Sequence, residues 1–183
     1  MVVKSTTQSH PEVLKDIFDT LREARIKINP GKCTFGISGG KFLGYMVTPR
    51  GIKPNPKKVQ AILDLPEPSM PKQIQALMGR MTALNRFISK SSDKGLPFFK
   101  LLRKTKPFAW DEACSKAFQE LKKHIASLPT LTKPAPRETL ILYLSISDFV
   151  VAIVLIREEG KVQSPVYYVS KALNTSKLNY SMI

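Results

Sequence analysis

The sequence is short of the residues from which most active sites are built. Its 183 residues include two histidines and two cysteines, and neither Cys33 nor Cys114 has a thiol or imidazole partner at metal-ligand spacing. That excludes a zinc site and a disulfide framework, and it fits a reducing intracellular compartment, cytoplasmic or nuclear. Both thiols are expected as buried core atoms. There is no Gly-rich phosphate loop, no Ser/His/Asp arrangement and no pair of carboxylates within an apolar run. His10 and His124 are expected on solvated helix surfaces. Asp148 follows an apolar run and is expected to cap a turn rather than hold a metal, and Glu158-Glu159 to face solvent at a hairpin tip. No apolar run approaches the ~18 residues of a membrane span, so no membrane partner is expected. The opening MVVKSTTQSH is too short in apolar residues for a secretory leader.

Negative charge is the other shortage. Against 29 Lys+Arg stand 14 Asp+Glu, a net charge of +15. Solubility of a small domain needs a net charge of only about 2–8, and each phosphate neutralised by a cation releases counterions. The expected partner is therefore nucleic acid. One candidate patch is Lys94, Lys100, Arg103, Lys104 and Lys106, interleaved with Phe98 and Phe99. A solvated loop with its phenyl rings turned inward is the equal alternative.

The best organised stretch is MPKQIQALMGRMTALNRFISK, Met70 to Lys90. Ser69 suits an N-cap and Pro71 the first turn. Ile74, Leu77, Met78, Met81, Leu84 and Ile88 recur at helical spacing, which predicts one helix of about five turns. Gln75, Gly79 and Ala83 fall on one line along it. This strip is small and polar, and another backbone can approach it closely. Plain helix packing is the commoner cause of such a pattern.

Around this helix the chain reads as follows. Met1 to Lys4 resembles the end of a strand, and His10 to Ala24 an amphipathic helix. Cys33 to Ile37 and Lys41 to Val47 read as strands joined by a hairpin at Ser38-Gly39-Gly40. Pro49-Arg50-Gly51 is a turn, and Pro56 to Leu63 a short helix. Ser91 to Lys106 reads as a basic loop. Asp111 caps a helix from Glu112 to Ser127 with the stripe Ala113, Ala117, Leu121 and Ile125, and Phe118 beside it. Pro129, Pro134 and Pro136 mark a stiff linker. Thr139 to Ile146, Val150 to Arg157 and Pro165 to Ser170 form an antiparallel meander. Without covering helices its three strands are expected to leave an apolar face open. A further helix is expected to begin near Ile183.

In order, LREARIKINPGKCTFG, KFLGYMVTPRGIKPNPKKVQAI, IQALMGRMTALNRFI, PFFKLL, FAWDEACSKAFQELK, LILYLSIS and PVYYVSKAL resemble the polyprotein of gypsy-type LTR retrotransposons. The resemblance is colinear over essentially the whole chain. It implies an α+β fold: residues 1–55 as the end of a reverse transcriptase palm with a primer-grip-like hairpin, 56–133 as thumb and connector helices, and 134–183 as the first three strands of an RNase H-like domain. It implies an RNA-directed DNA polymerase with RNase H, working with magnesium on a template–primer or RNA/DNA hybrid, alongside the palm, fingers and RNase H segments of a polyprotein.

Laid on residues, the resemblance gives Lys32 a place near the incoming nucleotide and Phe42-Leu43-Gly44 the hairpin at the primer terminus. It sets Gln75, Gly79 and Ala83 along the minor groove, with Arg80 and Arg86 on phosphates. It also implies a glycine where Arg25 stands. The aspartates that hold magnesium for polymerisation are expected before Met1, and Ser145 stands where the first RNase H aspartate belongs. Neither catalytic residues nor metal ligands are therefore expected here, and the isolated chain is expected to bind without catalysis. A domesticated nucleic-acid-binding or structural module is the alternative.

Overall fold

A computed structural model of the chain describes residues 9–102 and 107–173, together with 3 and 5. The strand read at Met1 to Lys4, the basic residues Arg103, Lys104 and Lys106, and the helix expected near Ile183 lie outside the described residues.

The architecture is α+β, with five α-helices and two antiparallel sheets among the described residues. Helix α1 (His10–Glu23) begins behind Ser9, whose N–H donates to Glu12 Oε2 at 3.3 Å. It ends in a Schellman motif, with the Ile26 N–H on Leu21 O and the Arg25 N–H on Arg22 O, and Arg25 at φ 55°. The backbone turn that glycine favours is thus made with an arginine.

Strands β1 (Gly40–Phe42), β2 (Tyr45–Thr48) and β3 (Gly51–Pro54) follow. The hairpin sits at Leu43-Gly44, not at Ser38-Gly39-Gly40, and Cys33 to Ile37 is not a strand. Both central residues have positive φ, 47° and 82°. That is the two-residue turn whose twist matches a β-ribbon, and it outweighs the Gly39-Gly40 signal. Leu131–Thr132, within the proline-rich stretch, forms β4 and pairs with β3. Gly51 makes this possible, because a Cβ there would stand 2.0 Å from Leu131 O. The stretch is thus docked rather than a free linker.

Asn55 caps α2 (Pro56–Leu63) by accepting the Lys57 N–H at 3.0 Å. Helix α3 (Pro71–Thr82) is shorter than its periodicity predicts. Met70 occupies the N-cap position, while Ser69 donates through N and Oγ to Gln73 Oε1. Past Ala83 the chain tightens into a 3₁₀ turn, Asn85–Phe87. Of the predicted stripe, Ile74, Leu77, Met81, Leu84 and Ile88 are buried and Met78 is partly buried. The break lets Phe87 be buried too, and it sets Asn85 Oδ1 on the Ser91 hydroxyl.

Ser91–Leu101 is helix α4, not a loop. Gly95 and Pro97 hide it in the sequence, but burial of Phe98 against Trp110 and Phe118, with ring centroids 6.0 and 6.4 Å away, holds it. Each such ring pair adds about 0.5–1.5 kcal/mol to the area term. Phe98 is therefore core, and Lys94 folds in to donate to Ser89 O, so neither belongs to a basic surface patch. Phe99 stays exposed.

Helix α5 (Glu112–Ala126) is capped by Asp111, which accepts the Cys114 N–H at 2.8 Å. Its buried face is Cys114, Phe118, Leu121 and Ile125. Leu121, Ile125 and Phe118 are buried as expected and Ala117 packs against the core, while Cys114 takes the inward place expected of Ala113, which is exposed. Cys114 is buried as expected, but Cys33 is only half-buried. His124 is not solvated: its Nε2 is buried without a hydrogen-bond partner among the described residues, and burial, then Lys94, lowers its pKa.

The second sheet, β5 (Leu140–Ile146), β6 (Val150–Glu159) and β7 (Val162–Ala172), is the expected meander with longer strands. A bulge at Leu155/Ile156 accommodates Pro165 in edge strand β7. Ser147, not Asp148, closes the β5–β6 turn by accepting the Val150 N–H at 3.2 Å. Val150, Ala152 and Ile156 are buried, and Tyr168 packs against the helical core. The Ser92 N–H donates to Ser170 Oγ and Thr132 Oγ1 to Pro165 O, which ties this sheet to α4 and β4. By register the other face carries Leu142, Leu144, Tyr167 and Val169, all exposed.

Candidate nucleic-acid interface

Two recesses open beside the C-terminal half of α3. The larger, about 390 Å³, is lined by Lys57, Lys58 and Ala61 of α2 and by Ala76, Gly79, Arg80 and Ala83. Its floor is made of small side chains and its rim is cationic. A Cβ on Gly79 would meet nothing within 4 Å, so packing does not demand glycine there. Gly costs a helix interior about 1 kcal/mol relative to Ala, and the space it leaves faces the recess. Arg80 is steadied by donating from Nη1 to Ala61 O at the end of α2. Gln75 is exposed on the same helix.

The β1–β2 hairpin meets this recess through Lys58. The Lys58 Nζ lies 5.8 Å from the centroid of the Tyr45 ring and 2.7 Å from where a Gly44 Cβ would stand. Gly44 thus lets the ammonium lie across the turn. At the tip, Leu43 is 78% exposed in a left-handed conformation, and Phe42 is half-buried at the end of β1.

The smaller recess, about 220 Å³, lies where the hairpin, the 3₁₀ turn and β7 meet, and Tyr45, Thr82, Asn85, Arg86, Tyr167, Tyr168 and Val169 line it. The Arg86 guanidinium stands 4.4 Å from the Tyr45 ring centroid and 5.5 Å from that of Tyr167. Arg80 and Arg86 therefore open on different recesses. Lys32 is exposed in the 3₁₀ turn Pro30–Lys32, and that segment lines neither recess.

Ser145 lies on β5 opposite Ala152. Among the described residues no three His, Cys, Asp or Glu side chains converge as metal ligands. A neutral hydroxyl with no carboxylate beside it does not replace a bridging carboxylate, so these residues do not fit a magnesium pair. Among the described residues no helix is long and apolar enough to cross a membrane.

Residues 110–183 match the family model of the RNase H-like domain found in reverse transcriptase. Over its whole length the chain is 33% identical to the retrovirus-related Pol polyprotein from transposon 297 of Drosophila melanogaster. This chain is a relative of the transposon polyproteins. It is also 28% identical, again over its whole length, to the transposon Tf2-3 polyprotein of Schizosaccharomyces pombe. It spans 17% and 14% of those relatives' lengths. In fold, 98% of the chain superposes on foamy viral protease-reverse transcriptase, with a TM-score of 0.79 for the structure in complex with dsDNA and 0.80 for that with an RNA/DNA hybrid. Sequence identity there is 19%, and the match covers 38% and 24% of those chains.

Lys57, Lys58, Ala61 and Ala76 line the larger recess, and sequence reasoning missed them. A signal for the lysines was present. Asn55-Pro56 starts a helix and places two cations in its first turn, where the macrodipole disfavours them.

Proposed function

We propose that this chain holds a nucleic-acid duplex, a template–primer or an RNA/DNA hybrid, as the thumb-side part of a reverse transcriptase/RNase H polyprotein. The observation that carries this reading is the open recess at Gly79, floored by small residues and rimmed by Lys57, Lys58 and Arg80. A minor groove read by its width and its backbone needs this combination of small residues for approach and cations for phosphates. Gln75 and Ala83 extend the track, and the Phe42-Leu43-Gly44 hairpin, linked through Lys58, touches the strand end. Two further observations support the reading: the transposon polyprotein relatives, and the foamy viral structures solved with dsDNA and with a hybrid. Magnesium belongs to the intact enzyme in this reading, and the chain alone neither extends a primer nor cleaves a hybrid.

The test is binding of a fluorescent hybrid duplex by the whole chain over a range of KCl concentrations. Three phosphate contacts give a slope of log K against log salt of about −3. Arg80→Glu and Gly79→Trp each weaken binding in this reading. Unchanged affinity in Arg80→Glu, or a flat salt dependence, overturns it.

A further inference from the structure

Strands β1, β2 and β3 set Lys41, Met46 and Lys53 in one cross-strand row, since Lys41 pairs with Met46 and Met46 with Lys53. Directly paired residues share a face of a sheet, and neighbours along a strand alternate between faces. Tyr45 and Ile52 pack against the core and Leu131 is buried, so the row lies on the opposite, outward face. Both lysines are exposed, and Met46 between them is half-buried. Strand spacing sets the two lysine backbones about 10 Å apart. The ion pairs among the described residues, Arg22 with Asp19 and Arg157 with Glu138 and Glu159, involve neither lysine. Residues 24–63 contain eight Lys and Arg and no Asp or Glu. A merely solubilising surface intersperses both signs, whereas a stretch of one sign raises the local potential for an anion.

The ribbon thereby separates two cationic surfaces. Its inner face meets the Gly79 recess through Lys58, whose Nζ lies 5.8 Å from the Tyr45 ring centroid, and the lysine row is on the other side. A duplex seated in the recess has a persistence length of about 50 nm and does not bend around a ribbon one sheet thick. An unpaired strand does. The row also matches a single strand chemically. Two ammonium groups meet its phosphates, and the polarisable thioether between them meets the face of a base.

We infer that the outward face of this ribbon, through Lys41, Met46 and Lys53, binds single-stranded nucleic acid. The strand is the unpaired one that continues from the duplex past the Leu43-Gly44 tip. This rests on the duplex-binding reading for the origin of that strand, and it adds a surface that shares no residue with the recess.

The test measures the affinity of the whole chain over a range of KCl concentrations for two ligands. One is a blunt RNA/DNA hybrid, the other the same hybrid with a single-stranded tail of about ten nucleotides. The tail is expected to steepen the slope of log K against log salt by about 1.4, the value for two phosphates of a single strand. In the double variant Lys41→Gln with Lys53→Gln that increment disappears. The tailed hybrid then binds roughly tenfold more weakly, and the blunt hybrid binds as before. Circular dichroism checks that the fold is kept. Equal loss for the blunt and tailed hybrids, or no loss for either, overturns the inference.

Acetylation of the unsubstituted chain gives a second measurement that needs no variant. Lys41 and Lys53 are expected to be protected by the tailed hybrid and by the single-stranded oligonucleotide alone, and to stay reactive with the blunt hybrid. Polyglutamate that protects them as well as the oligonucleotide does, at equal charge, marks a general polyanion surface and overturns the inference. If the wild type does not bind the blunt hybrid, the Gly79 reading fails, and protection by the oligonucleotide alone still decides this one.

Discussion

Arg25 and Leu43 each carry a positive φ, 55° and 47°, without being glycine. Each such L-residue costs roughly 1–2 kcal/mol in backbone strain. At position 25 the resemblance implies glycine, and the Schellman hydrogen bonds survive the arginine. Arg25→Gly is expected to stabilise the chain by about 1 kcal/mol, read as a higher urea midpoint. Leu43 differs in its setting, since it is 78% exposed at a hairpin tip rather than closing a helix. Leu43→Asn is expected to raise stability by a similar ~1 kcal/mol and to weaken duplex binding. A gain in stability with no loss of affinity removes Leu43 from the interface. His124 sets a pH dependence. Burial and Lys94 hold its folded-state pKa below the ordinary value, so the unfolded chain takes the proton more readily. Stability is therefore full above the unfolded histidine pKa and falls as pH drops below it. A urea midpoint lower at pH 5.5 than at pH 8, with the difference reduced in His124→Gln, is the expected result.

Among the elements, α1, α2, α5 and the three long strands were legible because each shows one clear period, with Asp111 marking the start of α5. Helix α4 was not, because Gly95 and Pro97 speak against a helix that tertiary burial of Phe98 enforces. The stripe of α3 was read correctly, but not its end at Thr82. Apolar spacing persists through Ile88 whether the backbone is α-helical or tightens, so periodicity alone does not register the break. The site was legible where a residue stands out of place, as Gly79 does in a helix interior. It was hidden where partners are distant in sequence, as with Tyr45 and Tyr167, which line the smaller recess beside Arg86. Gly79 also permits a test that separates fold from function. With open space at its Cβ position, Gly79→Ala is expected to stabilise α3 by about 1 kcal/mol. Gly79→Trp is expected to keep the fold, checked by circular dichroism, and to lose affinity for the hybrid.

At the scale of the whole molecule two surfaces respond to salt in opposite senses. The +15 charge favours polyanions and keeps copies of the chain apart. Against it stands the exposed sheet face of Leu142, Leu144, Tyr167 and Val169, the kind of apolar surface that drives association once repulsion is screened. Raising KCl is expected to weaken duplex binding and to promote self-association, measured by light scattering. Leu142→Lys with Leu144→Lys is expected to suppress the second effect and spare the first.

The central claim is that a duplex lies across the recess between α2 and α3, and lysine footprinting by mass spectrometry tests it most directly. The whole chain is acetylated with and without the hybrid, and the protection of each lysine is compared. Lys57 and Lys58 at the rim are predicted to be strongly protected, while Lys116 and Lys123, exposed on α5, keep their reactivity. Equal reactivity of Lys57 and Lys58 with and without duplex, or protection concentrated on α5, contradicts the account.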